Sequence, residues 1–374
     1  MVAPKHVCSI ILWLAIAAGA NAQNPVDPNA TAETRNLYRY LKKLPSKGFL
    51  FGHQDDLAYG VGWKYIQGKS DIKDVTGDYP ALYGFELGRI EIDHPVNLDS
   101  VPFDKMKGFI REAYDRGGII TISWHLNNPL TGNTAWQPAP GTVASILPGG
   151  EKHSLYTSWL DKIAAFFLSL KGSQGEYIPV IFRPFHELNG DWFWWGGKNC
   201  TPDEIKQLYR FTETYLRDQK KVHNLLYAFN TDRFKSLQGY LERYPGDEWV
   251  DITGFDIYQG YGIKKNEAFM QELDTTLTMI ESIAREKNKI PALTEFGYNG
   301  LPDSTWWTNV LLRVLEKHGI AYALAWRNAG YRNEKQYEFY VPYANQASAE
   351  NFIEFYRSPR TLFQKDIKRE EVYH

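Results

Sequence analysis

The run Pro179-Val180-Ile181-Phe182-Arg183-Pro184-Phe185-His186-Glu187-Leu188-Asn189-Gly190-Asp191-Trp192-Phe193-Trp194-Trp195 carries an apolar stretch into Arg, His and Glu, then into three tryptophans. A carboxyl group at the mouth of a buried strand is costly to place unless it has partners or a task. Aromatic faces beside it offer a surface on which a sugar ring stacks in a groove with few polar groups. A second glutamate, Glu295, follows another apolar run, 290–294. Two carboxyls facing across a groove suit glycoside hydrolysis: one is protonated to assist the leaving oxygen, the other ionised to attack carbon or activate water. Either glutamate alone has a second, lesser reading as the ion-pair partner of a strand-end arginine such as Arg183, which would in any case hold a carboxylate ionised. His186 alone reads as a buried imidazole bonded to the backbone; beside Glu187 it reads as a substrate or supporting contact. Of Trp192, Trp194 and Trp195, not all can face a sugar, and at least one belongs to the core.

These residues need a frame that brings them together. From Gly48 onward, short continuously apolar runs alternate with amphipathic helical stretches. Strands are predicted over 48–53, 81–86, 118–124, 177–182, 224–229, 250–256, 290–294 and 320–325. Continuous rather than alternating hydrophobicity is the pattern of parallel strands buried on both faces. Helices are predicted over 103–116, 154–170, from Pro202 behind the cap Thr201, over 266–287 and over 304–318. Eight alternations in one unbroken stretch predict a single (β/α)8 TIM barrel. The competing doubly wound sheet would carry a glycine-rich phosphate turn after its first strand if it bound a nucleotide, and Phe51-Gly52-His53-Gln54-Asp55-Asp56 is not one.

In such a barrel the catalytic face lies at the C-terminal ends of the strands. The unusual polar and aromatic residues fall there: His53 and Gln54, Glu86 and Arg89, Trp124 and His125, Arg183 with His186 and Glu187, Asn230, Asp256 and Tyr258, Glu295, and Trp326 with Arg327. The N-terminal ends show nothing comparable. Tyr258 can donate to the nucleophile or simply fill space, and Trp306 and Trp307 read as packing.

Composition narrows the partners. Lys+Arg number 42 against 44 Asp+Glu, with no basic stripe, so nucleic acid is not an expected partner. Aromatic residues make up 15%, including 12 Trp, which favours glycan binding. Lys5 and His6 precede the apolar run 7–18, and Ala20-Asn21-Ala22 offers a cleavage site before Gln23. The expected organisation is a signal peptide over 1–22, a linker over 23–30 and one catalytic domain over 31–374. The expected location is periplasmic or extracellular, with no membrane insertion. Beyond the leader only Cys200 remains, so no disulfide within the chain is possible.

The segment Arg183–Gly196 resembles the acid/base segment of glycoside hydrolase family 26, the β-mannanase family. Phe51–Asp56, Ser123-Trp124-His125, Gly254-Phe255-Asp256-Ile257-Tyr258 and Thr294-Glu295-Phe296-Gly297 agree with it, and the likeness runs from about residue 30 to the end. The resemblance implies a (β/α)8 barrel and a retaining enzyme, with Glu187 as acid/base and Glu295 as nucleophile. It further implies that His125, His186, Trp192 and Tyr258 border the sugar at the cleavage point and that Trp326 forms its floor. Arg183 and Asp256 transfer less directly. The implied substrate is β-mannan or manno-oligosaccharide, cleaved by a monomer without cofactor or metal. The family also contains β-1,3-xylanases and mixed-linkage β-glucanases, and both endo-acting and mannobiose-releasing mannanases. The loop 127–150, with Trp136, matches no family segment and reads either as a wall across the groove or as an inert insertion. Two further classes stand against this reading. A metal-dependent hydrolase with His53, His125 and His186 as ligands would want a His-x-His pair on the first strand, which has one His. A catalytically inactive glycan-binding barrel would not need both glutamates.

Overall fold

The apolar runs form strands because each is walled in on both sides. In the computed structural model, which describes residues 24–260, 262–333 and 336–374, nearly every residue of the eight long strands is buried. They are β1 (Phe49–Gln54), β2 (Leu82–Glu86), β3 (Ile119–Trp124), β4 (Val180–Pro184), β5 (Leu225–Thr231), β6 (Ile252–Tyr258), β7 (Ile290–Gly297) and β8 (Tyr322–Ala325). Each pairs in parallel with the next, and β8 returns to β1 through Leu50↔Tyr322 to His53↔Ala325, which closes the barrel. The expected (β/α)8 architecture is therefore the observed one. The signal-peptide segment 1–22 lies outside the described residues. Among those described, no helix is long and apolar enough to cross a membrane.

The helices that follow the strands are α1 (Asp71–Thr76), α2 (Phe103–Asp115), α3 (His153–Ser169), α4 (Pro202–Thr214), α5 (Leu237–Leu241), α6 (Asn266–Lys287), α7 (307–315) and α8 (Ala349–Arg357). Local sequence fixes their ends. Thr201 and Glu204 form a reciprocal capping box ahead of Pro202, and Asn288 ends α6 in a left-handed conformation. α7 starts later than expected, at Trp307, with wide turns over Trp307–Leu312. Trp306 and Trp307 are fully buried there, Trp307 packing 4.6 Å from Phe352 between ring centres, as their packing assignment requires.

Two strand differences matter for the site. β4 begins at Val180 because Tyr177 pairs antiparallel with Lys171 instead. β5, β6 and β7 run two or three residues past their expected ends, since Asn230, Tyr258 and Glu295 stay in the ladder (Asn230↔Gly254, Tyr258↔Gly297, Asp256↔Glu295). The register also jumps between Phe255↔Leu293 and Asp256↔Glu295, so β7 carries one extra residue, Thr294. A bulge of this kind re-aims the side chains beyond it.

Gly254 makes the bulge possible. A Cβ at that position would lie 2.4 Å from Thr294 Cγ2 and 2.8 Å from its Oγ1. Gly254→Ala is thus expected to cost about 1–3 kcal/mol as overpacking. By displacing Thr294 it should also lower kcat about 100-fold, because small shifts of a reacting group are expensive. Thermal melting and steady-state kinetics check both halves; wild-type turnover in the variant would show that the bulge does not position Glu295.

The closed end is not bare of polar groups, contrary to the sequence reading. Asp251, just before β6, accepts from Val26 N at 2.8 Å and Tyr227 N at 2.9 Å, and burial pushes its carboxyl up to about 6. Asp27 Oδ2 meets His223 Nδ1 at 2.8 Å. The stretch read as a linker thus carries tertiary contacts of its own at the bottom of the barrel.

Candidate active site

The catalytic carboxylates are organised by the buried guanidinium of Arg183. Arg183, the fourth residue of β4, sends Nη1 to Asp256 Oδ2 at 2.9 Å and Nη2 to Glu295 Oε2 at 2.6 Å. Asp256 also accepts from Asn230 Nδ2 at 2.8 Å and, through Oδ1, from Thr294 Oγ1 at 2.8 Å. The bulged threonine is therefore a brace between neighbouring strands. Tyr258 Oη donates to the other oxygen of Glu295, Oε1. Glu295 is held at both oxygens by side chains from β4 and β6.

Glu187 sits across the mouth. One carboxylate oxygen from each of Glu187, Asp256 and Glu295 lies within 4.8 Å of the others. One guanidinium bridges two carboxylates, Asp256 and Glu295, and among the described residues no cation is paired with the third. Burial, and then the charges of Asp256, Glu295 and Asp232, hold the Glu187 carboxyl well above the usual range, so it keeps its proton.

The backbone aims Glu187 at some cost. Phe185 (φ 53°) and Glu187 (φ 52°) are both left-handed, an uncommon choice for residues with a Cβ. Trp195 holds the turn by donating Nε1 to His186 O at 3.0 Å, and Trp194 Nε1 bonds Leu126 O at 3.1 Å, tying in the loop after β3. Both tryptophans are fully buried core, while Trp192 is 40% exposed and donates Nε1 to Glu187 Oε2 at 2.6 Å. Among the three, only Trp192 offers a face to the groove.

The histidines form a relay to a third carboxylate. His186 Nε2 meets His125 Nε2 at 3.0 Å, and His125 Nδ1 meets Glu86 Oε2 at 2.8 Å. Burial alone would raise the Glu86 carboxyl; the His125 ring, Ser123 Oγ and the His125 backbone N–H outweigh it and bring it down to about 2. His186 is kept neutral by burial and by the neighbouring His125 and Arg183. His53 lies apart from them, bound through Nδ1 to Asp56 Oδ1 at 2.8 Å. Among the described residues, His53, His125 and His186 do not converge on a common point.

His125 and Tyr258 line a cavity of about 520 Å³ with Trp136, Trp326, Arg89, Asp99, Arg327, Glu338 and Tyr340. Trp136 is 45% exposed and stacks on His125, ring centres 5.0 Å apart and planes 18° from parallel, so the loop 127–150 contributes a wall of this cavity. All eight residues singled out from sequence (Arg183, Glu187, Glu295, His125, His186, Trp192, Tyr258 and Trp326) lie at this one mouth. Sequence reading gave no role to Asp99, Glu338 or Tyr340. They sit on loops after β2 and β8, outside any strand-end pattern, and no local signal marks them.

A sequence profile for glycosyl hydrolase family 26 matches residues 26–335. A mannan endo-1,4-beta-mannosidase of Bifidobacterium adolescentis is 35% identical over 341 residues, 84% of this chain, which spans only 33% of that protein. Among solved structures, a family 26 beta-mannanase from Bacteroides ovatus superposes with a TM-score of 0.87 at 44% identity, covering 92% of this chain and 98% of that one. The catalytic domain of a Bacillus endo-beta-1,4-mannanase of the same family superposes with a TM-score of 0.84 at 36% identity, covering 94% and 96%.

Proposed function

Since this chain belongs to glycosyl hydrolase family 26, we propose that it is a retaining β-1,4-mannanase, with Glu295 as nucleophile and Glu187 as acid/base. The observation that carries the proposal is the carboxylate separation. Oxygens within 4.8 Å suit direct attack, for which about 5–5.5 Å between carboxyls is usual; inversion needs about 6.5–9.5 Å to admit a water.

In the first step Glu295 Oε1 or Oε2 bonds to the anomeric carbon as the carbon–oxygen glycosidic bond breaks, and the Glu187 proton passes to the leaving oxygen. Arg183 and Tyr258 hold Glu295 oriented for that attack. Glu187 is then a carboxylate. It takes a proton from water, whose oxygen displaces Glu295 from the anomeric carbon, and two inversions restore the starting configuration. Trp326 supports the ring of the reacting sugar, and the His186–His125–Glu86 relay holds an imidazole at its edge with a fixed orientation. The substrate is a mannan or manno-oligosaccharide, and the leader over 1–22 favours hydrolysis outside the cytoplasm.

Chromatography of products from mannan, galactomannan, β-1,3-xylan and mixed-linkage glucan, with the anomeric form of the first product read by NMR, tests this reading. Mannan and galactomannan are expected to yield β-anomers. Hydrolysis of the xylan or glucan with mannan untouched would overturn the substrate, and an α-anomer would overturn the mechanism.

A further inference from the structure

The parallel ladder between β4 and β5 stops early. Its last pair is Phe182↔Tyr227, although β4 runs on to Pro184 and β5 to Thr231. On its other side β4 stays paired with β3 as far as Trp124↔Pro184, and β5 stays paired with β6 as far as Thr231↔Phe255. The barrel wall therefore has a seam at its mouth, and the segment that carries Glu187 follows one lip of it.

One side chain crosses the seam. Asn189 accepts from Asp232 N through Oδ1 at 2.7 Å, and its Nδ2 donates to Arg233 O at 2.9 Å and, less closely, to Asp232 O at 3.4 Å. A carboxamide offers the same kind of acceptor and donor as a backbone peptide, so Asn189 supplies the rung that the strands do not. Its orientation is fixed, since the reverse would set donor against donor and acceptor against acceptor. Among the described residues, no other hydrogen bond joins residues 183–192 to the β5–α5 loop.

Both ends of this rung lead to a reacting group. Asn189 lies two residues beyond Glu187, in the turn where Phe185 and Glu187 are left-handed. Such backbone persists only where its surroundings over-determine it. Trp195 pins the start of the turn at His186 O, and Asn189 pins its end. On the far lip, the Arg233 guanidinium donates to Tyr258 O, and the Tyr258 hydroxyl donates to Glu295. The path Asn189–Arg233–Tyr258–Glu295 thus joins the acid to the nucleophile across the seam. We propose that Asn189 is a positioning residue, whose amide closes the β4–β5 seam and so fixes Glu187 in place opposite Glu295.

This inference rests on the mannanase reading, and its test separates the two. kcat/KM is measured on mannan and on a dinitrophenyl manno-oligoside for the wild type, Asn189→Ala and Asn189→Asp. Mannan needs the proton of Glu187 to release its leaving oxygen, whereas dinitrophenolate departs without one. Asn189→Ala should lose about 100-fold on mannan, the order expected of an ångström-scale misplacement, and less than about threefold on the aryl substrate. Azide, which displaces Glu295 from the glycosyl-enzyme without needing a base, should raise kcat of the variant on the aryl substrate. Asn189→Asp keeps the size and the acceptor for Asp232 N but turns an oxygen toward Arg233 O, and it should show the same pattern. Equal losses on the two substrates in a folded variant would overturn the proposal, as would wild-type rates on both. Failure of both variants to fold would overturn it too, by making Asn189 a residue of stability alone. A wild type that leaves mannan intact and hydrolyses another β-glycan would instead sink the mannanase reading, and the same comparison on that glycan would decide the role of Asn189.

Discussion

Glu295→Ala is expected to lower turnover on mannan by a factor on the order of 10⁴ to 10⁶, as loss of a nucleophile does elsewhere. The fold should survive. Arg183 keeps Asp256 at 2.9 Å, so the cation is not left alone, and Tyr258 loses one acceptor. An unsatisfied buried donor costs about 1–3 kcal/mol, a modest drop in melting temperature for a barrel of this size. The vacated space lies beside Arg183, so a small anion such as azide or formate should enter it and restore part of the rate. Because that anion attacks once and is not displaced, azide should give an α-glycosyl azide. Near-normal turnover without added anion would remove Glu295 from the mechanism.

Glu187→Ala should cost about 10²–10⁴ on mannan, the range typical of a lost acid/base. The loss should depend on the leaving group. An aryl mannoside with a nitro-substituted phenol departs without help, so the first step is spared and a glycosyl-enzyme accumulates, visible as a burst or by mass spectrometry. The pH profile should change as well. Glu187 must be protonated to act, and burial with the charges of Asp256, Glu295 and Asp232 raises its pKa. Wild-type activity should therefore persist above the pH at which an ordinary carboxyl would be ionised, and fall as pH rises through the raised value. The variant should lose that alkaline limb. An unchanged limb would mean that another group supplies the proton.

How much of this was legible beforehand follows from where each signal lives. Strand identity was visible because burial on both faces writes a continuous apolar run, and Glu187 and Glu295 were visible because each interrupts or ends one. What no run encodes is the exact point where a strand stops. A polar residue such as Asn230 looked like loop, yet Asp256 on the neighbouring strand supplies a partner that keeps it in the ladder. The bulge at Thr294 was invisible for the same reason, since it depends on the missing Cβ of Gly254 on the adjacent strand. Glu86 was noticed at the mouth without a task; its task, to hold His125, needs coordinates. Asp99 and Glu338 gave no signal, because an ion pair between two loops has no spacing rule along the chain. The closed end was misjudged because a carboxylate that only anchors backbone looks like any surface acid.

Both termini of the domain run along that closed end. Val26 and Asp27 are tied to Asp251 and His223, while Tyr373 donates to Gly118 O at 2.8 Å and its own carbonyl accepts from Asn36 Nδ2 at 3.0 Å. A tag, a surface tether or a fused module attached at either terminus would hang from the underside of the molecule. An enzyme immobilised that way would present its groove outward, toward an insoluble polysaccharide, whichever terminus was chosen for the attachment.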